Sequence, residues 1–281
     1  MAEKIKTCDL HTHSVFSDGS LTPEELVVLS KERGLSAVAL TDHNTAKGLL
    51  RFTEAGEENG VTTVAGCEFS TEYEGTEVHI AALFLPPDAW DEAERYTKRL
   101  LIAKKNSNVL LIEALRRSGY DVTYEEAAAL TDADEFNRAH VARLLLNKGY
   151  VNSTKEAFDT LLGEGQGYYV PPKRLDVFET IRFISSRRAV AVLAHPFLNL
   201  SGERLLKFLP QAKAAGLDAM ETRYSSFDEE TSREASKLAR RFGLKESGGS
   251  DFHGAAKPDV MLGTGRGNLC VPFEFYEALK P

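Results

Sequence analysis

The chain has 281 residues, of which 42% are hydrophobic, the make-up of one large globular domain or of a domain carrying a sizeable insertion. A formal charge of −8 at pH 7 speaks against broad binding to duplex nucleic acid, although a small phosphorylated substrate needs only local positive charge. Three scattered cysteines (Cys8, Cys67, Cys270) argue against a disulfide framework or a zinc ribbon, and no apolar run is long enough to span a bilayer.

The N-terminal MAEKIKTCDL lacks the apolar stretch of a signal peptide, so a cytoplasmic location is expected, with no membrane and no obligate protein partner. Residues Ile5 to Leu10 read as a strand. LTPEELVVLSKERG reads as a helix, with Thr22 as N-cap, Pro23 at the first helical position, Glu25 closing a capping box and Gly34 ending it. SAVALTDH is a second strand, followed by a helix to Gly60; VTTVAGCEF and EVHIAALFL are a third and a fourth strand. After Pro86 and Pro87 the period changes, and from Trp90 to Gly167 the chain reads as helical without strand candidates. Alternation then returns: a helix at LDVFETIRFISSRR, a strand at AVAVLAHP, a helix near GERLLKFLPQAKAAG and a strand at LDAMETRY. A helix at DEETSREASKLARRFG and a last strand at KESGGSD complete it. This order predicts an α/β fold, a (β/α) barrel with a barrel domain at 1–90 and 168–281 and a helical insertion at 91–167. The rival is a doubly wound open sheet, which the lack of a Gly-rich dinucleotide loop disfavours.

The chemistry is concentrated in the histidines. Of seven, His11, His13, His43, His195 and His253 lie at or just past the carboxyl end of an expected strand. His79 lies within the strand EVHIAAL, and His140 falls in the helical insertion. Asp18, Asp42, Glu68 and Asp251 share the same rim. Taken singly, each has a plain structural explanation; Asp18-Gly19, for instance, is an ordinary turn. Taken together, imidazoles and carboxylates gathered on the strand-end face of a barrel point to metal, because clustering histidine is unfavourable unless a cation holds it neutral. His11 and His13, two apart on an extended chain, face the same side. One catalytic ion needs about three protein ligands. The chain offers nine: His11, His13, Asp18, His43, Glu68, His79, His195, Asp251 and His253. With one bridging carboxylate that set implies two or three divalent ions, with Zn, Mn or Fe suited to the ligands. No nucleophile elbow, P-loop or catalytic Cys/His pair competes, so a metal-hydroxide hydrolase is the physical inference.

The blocks DLHTHSVFSDGS, ALTDHNT, AVLAHP and GGSDFHG resemble, in order, the motifs of the PHP family, named for polymerase and histidinol phosphatase domains. AGCEFST and EVHIAALF stand where that family has a Glu and an additional His ligand, and the resemblance runs from residue 7 to 267. It implies a distorted (β/α)7 TIM-like barrel with three metal groups. His11, His13, Glu68 and Asp251 would form one, Glu68 as a bridge with His79 and His195 a second, and Asp18, His43 and His253 a third. Manganese is often the active metal in such proteins. FNRAHVARLLLNKGYVNSTKEAFDTLLGEGQGYYVPPKRLD looks like the family's stand-alone branch, whose members hydrolyse nucleoside 3′,5′-bisphosphates or trim short RNA from the 5′ end. Two positions depart from that branch: Ala139, where Arg-Pro-His is common, and Phe227, where a histidine is usual.

A phosphoesterase also needs cations for the oxygens that do not react. Arg138 and His140 are the first candidates and Lys173 and Arg174 the next. The basic run from Arg95 to Arg117, seven Lys/Arg against one Glu, reads as a solvated helix face that a short single strand could use. Glu68, Asp18 and His253 are the candidate catalytic residues, the last two as groups that assist the leaving oxygen, although on a metal both are ligands first. The expected activity is hydrolysis of a phosphomonoester of a small nucleotide, a nucleoside 3′,5′-bisphosphate, by a metal-activated hydroxide. Alternatives are a 5′-3′ exoribonuclease on short 5′-phosphorylated RNA, an amidohydrolase-type C–N hydrolase, and a non-catalytic metal module. Glu221 also lies at a strand end but fits a structural hydrogen bond equally well and is left outside the expected site.

Overall fold

Short apolar strands alternating with capped helices organise the first part of the computed structural model, which describes residues 6–131, 135–172 and 174–281. β1 (Cys8–Asp9), α1 (Pro23–Arg33), β2 (Ala37–Leu40), α2 (Leu49–Asn59) and β3 (Thr62–Tyr73) follow in that order. Thr22 and Glu25 cap α1 reciprocally, and Gly34 ends it in the left-handed conformation at φ 73°. β1 is shorter than the strand expected from Ile5, which lies outside the described residues. β2 is buried along its whole length, as a parallel strand covered on both faces must be.

β3 does not lead into a helix. It turns back through Glu74 and Gly75, at φ 47° and 75°, into β4 (Thr76–Leu83), with Tyr73 paired to Thr76. Positive φ at both central residues is the geometry of a tight hairpin, and two residues leave no room for the crossover that parallel pairing needs. β4 is therefore antiparallel to β3 and also to β6.

The next elements are helices: α3 (Trp90–Arg117), α4 (Tyr124–Ala128), α5 (Arg138–Asn147) and α6 (Thr154–Ala157). β5 (Leu175–Asp176), α7 (Val177–Ser186), β6 (Val190–Leu193), α8 (Pro196–Asn199), α9 (Gly202–Ala215) and β7 (Ala219–Tyr224) come next. α10 (Glu229–Arg241), β8 (Lys245–Gly249) and α11 (Phe273–Leu279) complete the chain. The sheet order is β1-β2-β3-β4-β6-β7-β8, with β5 paired to β3. Leu10 N donates to Gly248 O at 3.1 Å and Asp251 N to His11 O at 2.9 Å, which brings the two ends of the sheet together into a nearly closed seven-strand barrel. Cys8, Leu10, Ala39, Val64, Leu83, Val192 and Ala219 fill its interior.

Two compact units divide the chain, Met1–Tyr96 with Arg174–Pro281, and Thr97–Lys173. The second has its own core of Leu111, Leu115, Phe136, Val141, Leu145 and Leu162. Among the described residues no helix is long and apolar enough to cross a membrane.

Candidate metal centre

The strand ends of the first unit place the His-x-His pair on extended backbone just past β1, where Thr12 bridges Phe252 and both flanking imidazoles are fully buried. Two glycines make room for them. A Cβ on Gly249 would lie 2.4 Å from His11 N and Cβ, and one on Gly19 would lie 2.3 Å from His13 O, so the backbone approaches more closely than any side chain permits. His43 follows β2 and pairs with Glu68 of β3. His79 reaches the same rim from early in β4, opposite Ser70, because that strand runs the other way.

Glu68 is the hub. Its Oε2 lies 3.1 Å from His11 Nε2, 3.3 Å from His13 Nε2 and 3.1 Å from His43 Nδ1. Its Oε1 lies 2.9 Å from His79 Nδ1 and 3.0 Å from His195 Nε2. Asp251 Oδ1 stands 3.1 Å from His13 Nε2 and 3.7 Å from His11 Nε2. Asp18, more exposed at 39%, has Oδ1 3.2 Å from His253 Nε2 and Oδ2 3.9 Å from His43 Nε2. All nine ligands expected from the sequence thus converge in one centre. They form overlapping groups whose ligand atoms lie within 4.8 Å of one another: His11, His13, Glu68 and Asp251; His13, Asp18, His43 and His253; and His43, Glu68 and His79. His195 joins through Glu68 Oε1.

Does this set fit a metal? His11 Nε2, His13 Nε2, Asp18 Oδ1, His43 Nδ1 and Glu68 Oε2 are buried and make no hydrogen bond among the described residues. Buried polar atoms are nearly always satisfied, so five orphans aimed into one volume are the signature of ligands that share a cation. The donors, imidazole nitrogen and carboxylate oxygen, suit Zn, Mn or Fe. The centre fits a cluster of divalent ions.

Its titration tells the same story. Burial pushes the His13 imidazole down, but the adjacent Asp251 and Glu68 carboxylates overturn this and hold it up at about 9. Burial is likewise overcome at His79, by Glu68 and then Glu77, which lift it to about 10, and at His11, raised well above its usual value by Glu68 and Glu221. His43 goes the other way, to about 4, through burial and the charges of His13 and His79. Burial would raise the carboxyls of Glu68, Asp251 and Asp18, yet the surrounding imidazoles hold all three below the carboxylate range.

Two would-be ligands, His195 at φ 30° and Asp251 at φ 56°, occupy left-handed backbone that non-glycine residues seldom adopt. Such outliers concentrate at functional sites. Of the outer groups, Asp42 and Glu221 stood out in the sequence without an assigned partner, and Glu77, Tyr224 and Lys257 were missed. Glu221 holds His11 Nδ1 at 2.7 Å, and Glu77 stands 3.3 Å from His79 Nε2. Tyr224 OH and Lys257 Nζ each donate to Asp251 Oδ2 at 2.8 Å. Asp42 accepts from Ser14 N, Ser14 Oγ and Ser17 Oγ, fixing the loop that carries Asp18.

The expected phosphate cations have various surroundings. Arg174 is paired with Glu77 at 3.0 Å and so connects to His79 through one carboxylate. In the helical unit, Arg138 lies 4.0 Å over the Tyr169 ring and donates to Leu162 O at 3.1 Å. His140 Nδ1 accepts from Asn137 N in a capping box. Ala139 N donates to Asn137 Oδ1 at 3.0 Å, a bond that proline at this position could not make. Lys173 lies outside the described residues. Phe227, where a histidine is usual in the branch, is buried between Tyr224 and Phe197, with ring centroids 5.3 and 5.5 Å away.

A family model, the PHP domain, matches residues 9–168. A 5′-3′ exoribonuclease of Haemophilus influenzae is 34% identical over 253 residues, 88% of this chain and 90% of that protein. A 3′,5′-nucleoside bisphosphate phosphatase of Chromobacterium violaceum is 29% identical over 247 residues, 87% of this chain and 86% of that one. Among solved structures, a Bifidobacterium adolescentis protein assigned to the metal-dependent phosphoesterases superposes with a TM-score of 0.82 at 28% identity, covering 98% of this chain and 95% of the other.

Proposed function

The chain belongs to the PHP family of metal-dependent phosphoesterases, and from that premise we propose that it removes a phosphate from a nucleoside 3′,5′-bisphosphate, using two or three divalent ions with manganese as the active metal. The observation that carries the reading is the set of five buried imidazole and carboxylate atoms, Glu68 Oε2 among them, that make no hydrogen bond among the described residues. His11, His13, Glu68 and Asp251 would hold one ion, Glu68 with His79 and His195 a second, and Asp18, His43 and His253 a third. Divalent cations in such a cluster supply a nucleophile drawn from water at neutral pH and neutralise charge on the phosphoryl oxygens.

The chain's own groups prepare that chemistry. His253 Nδ1 lies 2.8 Å from Asp251 O, and His11 Nδ1 faces the Glu221 carboxylate; a proton on each of these nitrogens leaves the other one free to ligate. Asp18, held ionised, accepts a cation or a proton and does not donate one. Asp18 and His253 are therefore ligands before they are acids. Arg138, His140, Lys173 and Arg174 are the candidates for the phosphate that is not cleaved, with arginine able to grip it bidentately.

A second reading, 5′-3′ exoribonuclease on short RNA, is favoured by the relative that carries this name at 34% identity. Both substrates set a 5′-phosphate beside the scissile bond. The manganese-loaded chain is to be offered a nucleoside 3′,5′-bisphosphate and a 5′-labelled oligoribonucleotide. Inorganic phosphate from the first is the expected product. Stepwise loss of 5′-terminal nucleotides would move the substrate to RNA, and no phosphate from any nucleotide would sink the proposal.

A further inference from the structure

Glu221 belongs to none of the three ligand groups, yet it touches two of them. It sits in β7, 1% exposed, with Oε1 2.7 Å from His11 Nδ1 and Oε2 accepting the backbone N–H of His195 at 2.6 Å. His11 follows β1 and belongs with His13, Glu68 and Asp251; His195 follows β6 and reaches Glu68 Oε1. We propose that Glu221 is a positioning residue that sets two metal positions at once, holding one ligand by its ring and the other by its backbone. The inference rests on the metal reading given above.

Each contact has a distinct consequence. An imidazole offers a lone pair from one nitrogen only when its proton sits on the other, and a carboxylate that accepts this proton also fixes the ring plane. Glu221 Oε1 draws the His11 proton to Nδ1, so Nε2 faces Glu68 and Asp251. His195 is held differently. It adopts φ 30° and ψ 58°, and Pro196 follows it, which disfavours the right-handed helical region for His195. Its easy alternative is extended backbone, which would carry the imidazole away from Glu68. The bond to Glu221 Oε2 holds the residue in the left-handed turn. Because the two oxygens belong to one rigid carboxylate, His11 and His195 are registered against each other across β7 and β8.

The test uses the whole chain stripped of metal with chelator and titrated with Mn2+, free ion being read by electron paramagnetic resonance. E221Q offers one acceptor to two N–H donors, so at least one contact is inverted. It is expected to weaken both the ion at His11 and the ion at His195, by about ten- to a hundredfold each, while circular dichroism shows the metal-free chain folded. H195G tolerates the left-handed backbone and removes only the ring, so it is expected to weaken one ion alone. In the 15N-labelled zinc-loaded chain, the His11 Nδ1–H resonance is expected in the wild type and lost or strongly shifted in E221Q. Should E221Q fail to fold, E221D, which keeps the charge but is one methylene too short to span both N–H groups, is judged by the same two-ion criterion. Weakening of a single ion, or of none, overturns the proposal. If the wild type takes up no ion, the metal reading falls and this inference falls with it.

Discussion

Gly249→Ala isolates the placement of His11 from every change in ligand chemistry. The new Cβ would stand 2.4 Å from His11 N and Cβ and 2.8 Å from its Cα. Carbon atoms pack at about 3.5–4.0 Å, so the backbone of one strand must give way by about 1 Å. Nothing flexible takes up that shift, because the clashing atoms are main chain and Cβ. Overpacking of this kind costs about 1–3 kcal/mol, which at about 2–4 °C per kcal/mol for a domain of this size lowers Tm by about 2–12 °C. The functional effect is larger. A displacement of about 1 Å in a reacting constellation costs about 100-fold in rate, and His11 Nε2 stands only 3.1 Å from Glu68 Oε2. The assay is phosphate release from the manganese-loaded chain, run beside a thermal melt. Gly60→Ala is the control: nothing lies within 4 Å of its Cβ, but its φ of 67° strains alanine by about 1–2 kcal/mol. It should lose a similar stability and keep its rate. Wild-type kcat/KM in Gly249→Ala would refute the claim that the motif glycine exists to seat His11.

Glu68→Gln removes the one charge that faces five imidazoles, all within 3.3 Å. Activity should fall by more than about 100-fold, since even outer partners of ligands are worth 10- to 100-fold, and the metal-free chain should lose about 3–5 kcal/mol as buried charges go uncompensated; plasma emission counts of bound metal and a denaturant melt check both. In the metal-free chain, His13 and His79 carry pKa values of about 9 and about 10 against an ordinary 6.5. Folded values above unfolded ones mean stability that is whole below pH 6.5 and lost as pH rises through 9 to 10, so the chelated chain should melt lower at pH 10 than at pH 7. Manganese added at pH 7 should release protons, seen by calorimetry in buffers of differing ionisation enthalpy, and a buffer-independent heat would contradict this. Arg138→Ala should raise KM with little change in kcat if the guanidinium only holds phosphate. The lost stacking on Tyr169, 4.0 Å away, should cost about 0.5–1 kcal/mol in a melt.

The barrel and the candidate site were legible for different reasons. α1 announced itself through local chemistry, since Thr22, Pro23, Glu25 and Gly34 carry their meaning within one helix. The candidate site was legible by type and place: histidine and carboxylate gathered at strand ends have few other uses in a barrel, and the structure brings these side chains together. The direction of β4 was not read, although its signal is present. Glu74-Gly75 between two apolar runs is a two-residue hairpin turn, and it explains why His79, apparently inside a strand, lies on the same rim as the others. The partners of the outer groups could not be read, even where the sequence singled out a residue such as Glu221 as fit for a structural hydrogen bond. Asp9 accepts from Ser250, 241 residues away, and Glu221 from His11, 210 residues away. A residue that acts through another has its partner chosen by tertiary approach, and no spacing in the chain records it.

The placement of charge explains why one geometry serves two states. An ionised Glu68 buried among side chains is costly unless something cationic meets it. Without metal, protons do so: His11, His13 and His79 are raised while Glu68, Asp251 and Asp18 are lowered. That arrangement is frustrated, because imidazolium rings then crowd one another. His13 and His43 ring centroids lie 4.4 Å apart, and His43, beyond the effect of its burial, is driven down to about 4 by the charges on His13 and His79. Divalent cations held by the same residues would supply that positive charge in place of protons, and the imidazoles that ligate them would be neutral. The protons released on binding would then count the imidazoles that carried charge before metal arrived.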